Sequence, residues 1–200
     1  MISTLNVQSA EQTENEKLLA VQKITIIDRP LLMVGMGLTQ SIGGDYYIGA
    51  FYIDEAAQYS SGDDLIFIDA PRRMEFRFAS DHKVSGRGFG RKIAEGIRIN
   101  NTAEQIKDEK DKLRTLVKLF KGSYKKGDVL RFDYHNSFGT RVILNGRTLG
   151  AIKGSKDLYR LLVRTWVGER PPSSLFKVGI TGQNESNYAI ELLKRYISLK

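Results

Sequence analysis

Residues 46–53 read Tyr46-Tyr47-Ile48-Gly49-Ala50-Phe51-Tyr52-Ile53, and this stretch decides the fold. Aromatic and β-branched side chains suit a pleated surface, and continuous apolarity means that neither face of the strand meets water. A strand of this kind belongs in the middle of a sheet. Upstream, Gly43-Gly44 marks a turn, and residues 31–40 and 18–27 read as two further strands parted by Asp28-Arg29-Pro30. Downstream of Pro71, residues 72–79 set Met74, Phe76 and Phe78 against Arg73, Glu75 and Arg77, the alternation of a half-buried strand.

Helical signals follow. In residues 89–97 Phe89, Ile93, Gly96 and Ile97 fall at helical spacing, and the interior Gly96 costs about 1 kcal/mol against alanine. Such a helix is either marginal or closely approached at that point. Thr102 with Gln105 forms a capping box opening a helix whose stripe is Ile106, Leu113, Leu116, Val117 and Phe120, ended by Gly122. Its other face, Lys107 to Lys112, is charged and reads as solvated. Residues 129–134, 140–144 and 147–152 form a meander, the last two strands joined by Asn145-Gly146, a pair that tolerates positive φ. Ser155 caps a helix carrying Leu158, Leu161, Leu162, Thr165 and Trp166, stopped by Gly168, Pro171 and Pro172. Residues 173–180 read as a short helix, and Ala189, Leu192, Leu193, Tyr196 and Ile197 as an amphipathic C-terminal one. Early strands, a completing hairpin and segregated helices predict an α+β domain over residues 18–200, with helices on one face of an antiparallel sheet. Residues 1–17, polar and without period, read as a mobile arm.

Composition narrows the chemistry. The chain has no cysteine, so it has no disulfide, thiolate nucleophile or sulfur-bound zinc, and its two histidines, His82 and His135, lie far apart. No metal and no cofactor is expected. Of the net charge of +8, residues 1–60 hold three Lys/Arg against seven Asp/Glu, so the positive field belongs to the later chain. Such a field attracts carboxylates, lipid headgroups or nucleic acid without choosing among them. No apolar run is long enough to span a membrane, and the start resembles no secretory signal. A complete chain would stay in the cytoplasm, and removal of a leader would place it in the periplasm.

Gly86-Arg87-Gly88-Phe89-Gly90-Arg91-Lys92 matches neither phosphate-loop pattern, because Arg91 stands where the last glycine of the dinucleotide motif belongs. As a basic loop with Phe89 free to stack on a base it is a pattern too common to carry a nucleic-acid partner. Asp54-Glu55 and Asp63-Asp64 read as exposed turn residues, and no serine elbow or triad is present. Thr165 beside Trp166 on an inward helical stripe is the informative pair. A buried hydroxyl needs a partner, either the carbonyl four residues earlier or something in a pocket.

Several stretches resemble the chalcone isomerase-like family, especially its bacterial branch: residues 48–53, Met74-Glu75-Phe76-Arg77-Phe78, residues 96–101, Lys126-Gly127-Asp128, residues 139–146 and residues 161–168. The resemblance implies an open-faced β-sandwich, a large antiparallel sheet covered by helices with a cleft between. True chalcone isomerases stabilise oxygen anions with an arginine and a threonine on strands, a tyrosine, lysine and asparagine on one helix, and a Thr/Ser on a later one. Carried over, these positions fall at Tyr47 for the threonine, Phe89, Lys92 and Gly96 for the helix trio, and Thr165. The arginine position falls near Gly35 to Leu38, with Arg29 the closest arginine. Each missing donor is worth roughly 2.7–4 kcal/mol in comparable sites, which argues against isomerase catalysis. The resemblance points instead to a non-catalytic binder of a small apolar, carboxylate or fatty-acid-like ligand at Tyr47, Phe89, Lys92, Ile93, Gly96, Thr165 and Trp166. An intramolecular lyase using Tyr47, Lys92 and Thr165 is the alternative, followed by a basic interaction module.

Overall fold

The computed structural model describes residues 20–199, so the expected arm lies outside the described residues. Nine strands are present there: β1 (Lys23–Ile26), β2 (Arg29–Ser41), β3 (Gly44–Asp54), β4 (Arg72–Phe78), β5 (Val84–Ser85), β6 (Ser123–Tyr124), β7 (Val129–His135), β8 (Gly139–Leu144) and β9 (Arg147–Ile152). Seven make one antiparallel sheet in the order β1-β2-β3-β4-β7-β8-β9, and β5 pairs with β6. The helices are α1 (Asp64–Phe67), α2 (Gly86–Asn100), α3 (Ala103–Asp108), α4 (Lys110–Lys118), α5 (Lys156–Val167), α6 (Ser174–Ile180) and α7 (Ser186–Ser198). The α+β architecture is the one expected.

Strand β3 is central and apolar on both sides, as its sequence requires. Tyr47, Phe51 and Ile53 join Met74, Phe76, Phe78, Phe132 and Trp166 in the main core under α2 and α5. Ile48, Ala50 and Tyr52 face the other way and pack with Leu192, Leu193 and Tyr196 of α7. The C-terminal helix therefore covers the face opposite the other helices, which corrects the expectation of helices on one face alone.

Strand β4 is correspondingly not half wet. Glu75, and Asp133 on the adjoining β7, are buried on the sheet's outer side, where Glu75 accepts from Arg131 Nε at 2.6 Å, Arg77 Nε at 3.2 Å and Tyr196 Oη at 2.7 Å. Asp133 accepts from Arg73 Nε at 2.6 Å and Arg141 Nη2 at 3.1 Å. Pairing of this quality is what permits a carboxylate inside a fold. Asp54, expected to be an exposed turn residue, is likewise buried and takes two hydrogen bonds from Arg29, at 2.7 and 2.9 Å.

The capping box forms as read, with Thr102 Oγ1 accepting from Gln105 N and Gln105 Oε1 from Thr102 N. The helix it opens is broken at Glu109 into α3 and α4, and Glu109 is buried rather than part of a solvated face. Ser155 does stand at the start of α5, but its hydroxyl bonds Thr140 and the Ile152 carbonyl instead of capping. The Asn145-Gly146 hairpin is as expected, with φ of 49° and 81°.

Candidate functional site: a cleft between the helices and the aromatic strand

Two local irregularities build the site. Between the pairs Thr39↔Tyr47 and Gln40↔Asp45 the register slips, leaving Tyr46 as an extra residue in β3. A bulge re-aims side chains, and here it sends Tyr46 and Tyr47 to the same face, ring centroids 5.1 Å apart. The second irregularity is Gly96. A Cβ there would collide with Thr165 Cγ2, so the glycine exists to let α2 and α5 touch. Close approach, rather than a marginal helix, is the reason for this residue.

Where the two helices diverge from the sheet lies a cleft of about 830 Å³. It is bordered by all seven residues singled out above: Tyr47, Phe89, Lys92, Ile93, Gly96, Thr165 and Trp166. Its floor is aromatic. Tyr47 stands edge-on to Phe76 at 4.9 Å and to Phe89 at 6.1 Å, and Trp166 lies tilted on Phe76 at 4.9 Å. Phe89 is buried within the first turns of α2, so the glycine-rich segment is not a loop with an aromatic free to stack on a base.

Polar groups on this floor are sparse and under-used. Thr165 is 6% exposed, and its Oγ1 has no partner among the described residues. The hydroxyl therefore does not bond back to the carbonyl four residues earlier, and it borders the cleft. Thr39, directly across the ladder from Tyr47, also has an unpartnered Oγ1. Burial pushes the Tyr47 hydroxyl above its ordinary value. Burial pushes Tyr46 up to about 12. Both phenols stay protonated at neutral pH and so are able to donate.

The rim is cationic. Lys92 is exposed at the mouth, its Nζ 4.3 Å above the Tyr46 ring. Lys83, Arg91 and Arg170 also border the cleft, and among the described residues none of these three has a carboxylate partner. The one acid on the border, Glu95, is held by Arg98 at 2.6 and 2.9 Å. The sequence reading missed Thr39, Tyr46, Lys83, Arg91 and Arg170 as parts of the site. The bulge, which brings Tyr46 onto the face of Tyr47, leaves no trace in residue spacing.

The residues in hand do not form an isomerase donor set. Arg29 is engaged by Asp54 and is not on the cleft border. Where the family arginine would stand, α6 lies directly on the sheet: a Cβ at Gly37 would be 2.7 Å from Phe176 Cδ2. Phe89 and Gly96 offer no side-chain donor. Among the described residues no group of three His, Cys, Asp or Glu gathers as metal ligands, and no helix is long and apolar enough to cross a membrane.

Comparison with known proteins agrees with this geometry. Among solved structures, the Arabidopsis thaliana fatty-acid binding protein AtFAP1 is similar in fold, with a TM-score of 0.56 at 16% identity over 88% of this chain and 92% of that one. A search of curated proteins finds no match. The family model described as chalcone isomerase-like matches residues 12–182, so with its sheet, covering helices and cleft in place, this chain belongs to the chalcone isomerase-like family.

Proposed function

We propose that the chain is a non-catalytic binding protein whose cleft holds an elongated apolar anion, a fatty acid or a similar carboxylate. One observation carries the reading: an aromatic floor meets a rim in which Lys83, Arg91, Lys92 and Arg170 face no uncompensated acid. A volume of about 830 Å³ falls in the range of roughly 300–1,000 Å³ usual for small-molecule sites. An apolar tail gains by leaving water for the floor, while a carboxylate at the rim takes a charge-assisted bond from Lys92. The fold shared with a fatty-acid binding protein supports the same reading. The depleted donor set supports binding without turnover, since an oxyanion is stabilised only by donors fixed in advance.

The test is ligand capture. Delipidated protein with long-chain fatty acids is expected to melt at higher temperature. Ligand at 100 times its Kd adds about 2.7 kcal/mol to stability. Lys92→Met is expected to lower affinity for the acid several-fold and leave the corresponding alcohol unaffected. No thermal response and no co-purified small molecule in native mass spectrometry would remove the proposal. Accelerated chalcone cyclisation, abolished by Thr165→Val, would replace it with a lyase built on Tyr47, Lys92 and Thr165.

A further inference from the structure

The hairpin joining β2 and β3 ends in a side chain that the ligand reading does not need. Ile42 is 107% exposed, at the very tip of the turn, followed by Gly43 and Gly44 with φ of 101° and 127°. Nothing in the fold rewards a large apolar residue here, where a polar one would serve the turn better. Ile42 also borders the mouth of the cleft, on the same rim as Lys83, Arg91, Lys92 and Arg170.

Charge around this mouth is one-sided. Most acids adjoining it are spent: Asp45 is held by Arg195, Asp81 by Lys126 at 2.7 Å and Glu95 by Arg98, which leaves Glu169, next to Arg170, against the four rim cations. Lys83, Arg91 and Arg170 are left uncompensated among the described residues. The 15-residue helix α2 begins at this rim with no acid in its first turn, so its positive end adds to the field. A single protruding apolar tip ringed by cations complements an anionic lipid bilayer, which offers hydrocarbon beneath a layer of negative headgroups. Duplex nucleic acid presents charge but no hydrocarbon for Ile42 to enter.

We infer that the cleft mouth is a docking surface for anionic membranes, with Ile42 inserted among the acyl chains and the rim cations on the headgroups. The mouth then opens against the bilayer, where an amphiphile can pass without crossing water. Docking itself does not depend on what the cleft holds, so it is measured on delipidated full chain.

The experiment is vesicle co-sedimentation with phosphatidylcholine alone and with phosphatidylglycerol added. Binding is expected only to the anionic vesicles and to weaken steeply with salt. Ile42→Asp is expected to lower it by about tenfold or more, the loss of one buried isoleucine. Lys83→Glu and Arg91→Glu are each expected to lower it at least about fivefold, given about 1 kcal/mol per basic residue near the surface. Ile190→Ser, an exposed apolar residue on α7, is expected to change nothing. Equal binding by Ile42→Asp and wild type, or equal binding to both vesicle types, overturns the inference. So does an Ile42→Asp variant that only converts a dimer to monomer in light scattering, since a second copy would then be the occupant. Fatty-acid capture measured on the same samples separates the two proposals: vesicle binding without capture removes the ligand reading alone, and capture without vesicle binding removes this one alone.

Discussion

Two residues hold demanding local geometry, and both are testable singly. Gly96 lies against Thr165, so Gly96→Ala is expected to cost about 1–3 kcal/mol in overpacking despite alanine's better helix propensity. Adding Thr165→Ser removes the colliding Cγ2 and is expected to restore most of the loss, a coupling that denaturant titrations of the single and double variants measure. Ile27, exposed in the β1–β2 turn, has a φ of 57°, a conformation that a β-branched side chain resists. Ile27→Asn is expected to stabilise by about 1 kcal/mol, seen as a rise of roughly 2–4 °C in thermal unfolding. Gly96 was legible as an anomaly, because a helix interior pays for glycine only when something presses on it. Thr165 was legible as a buried hydroxyl but not as an unpartnered one, since hydrogen-bond bookkeeping requires the neighbouring helix.

At the scale of elements, the sheet carries a charged seam under its C-terminal helix. Tyr196 Oη donates to Glu75, and Arg77 Nη1 donates to the Tyr196 carbonyl at 2.9 Å, fastening α7 to β4. Burial raises Glu75, but Arg131, Tyr196 and Arg77 outweigh it and hold the carboxyl below its ordinary value. A carboxylate depressed in the folded state contributes stability above its unfolded pKa of about 4.3 and loses it as pH falls through the lower folded value. Glu75→Gln is therefore expected to cost about 3–5 kcal/mol at neutral pH and to flatten the acid limb of stability measured by urea unfolding. The seven strands of the main sheet, the Asn145-Gly146 hairpin and the Thr102 capping box were legible because each rests on short-range chemistry, although the first strand starts only at Lys23, after a helical turn at residues 20–22, and the short β5 and β6 went unread. The burial of Glu75 and Asp133 was not: alternation with charged residues looks the same whether those charges meet water or meet arginines from adjacent strands. The break at Glu109 was hidden for a related reason, as nothing in the run of charged residues marks which one turns inward.

For the whole molecule, the arrangement of layers follows from β3, whose two apolar faces demand cover on both sides. The main core takes α2, α4, α5 and α6 on one face, and α7 closes the other. Removing α7 by truncation before Ser186 is expected to expose Ile48, Ala50 and Tyr52 and to produce aggregation on gel filtration rather than a smaller folded domain. The cleft's seven candidate residues were legible through family resemblance and helical stripes, whereas its rim was not, because Lys83, Arg91 and Arg170 converge only after folding. The furrow along Gly35, Gly37 and Gly49 sets a further property. It seats α6 so low on the sheet that a Cβ at Gly49 would lie 2.8 Å from Phe176 Cζ, and Phe176 in turn backs Tyr47 at 5.9 Å. That end of the hollow is walled by solid packing. An occupant therefore gains no exit past Phe176, and its exchange with water runs over the open side bordered by Lys92 and Arg170.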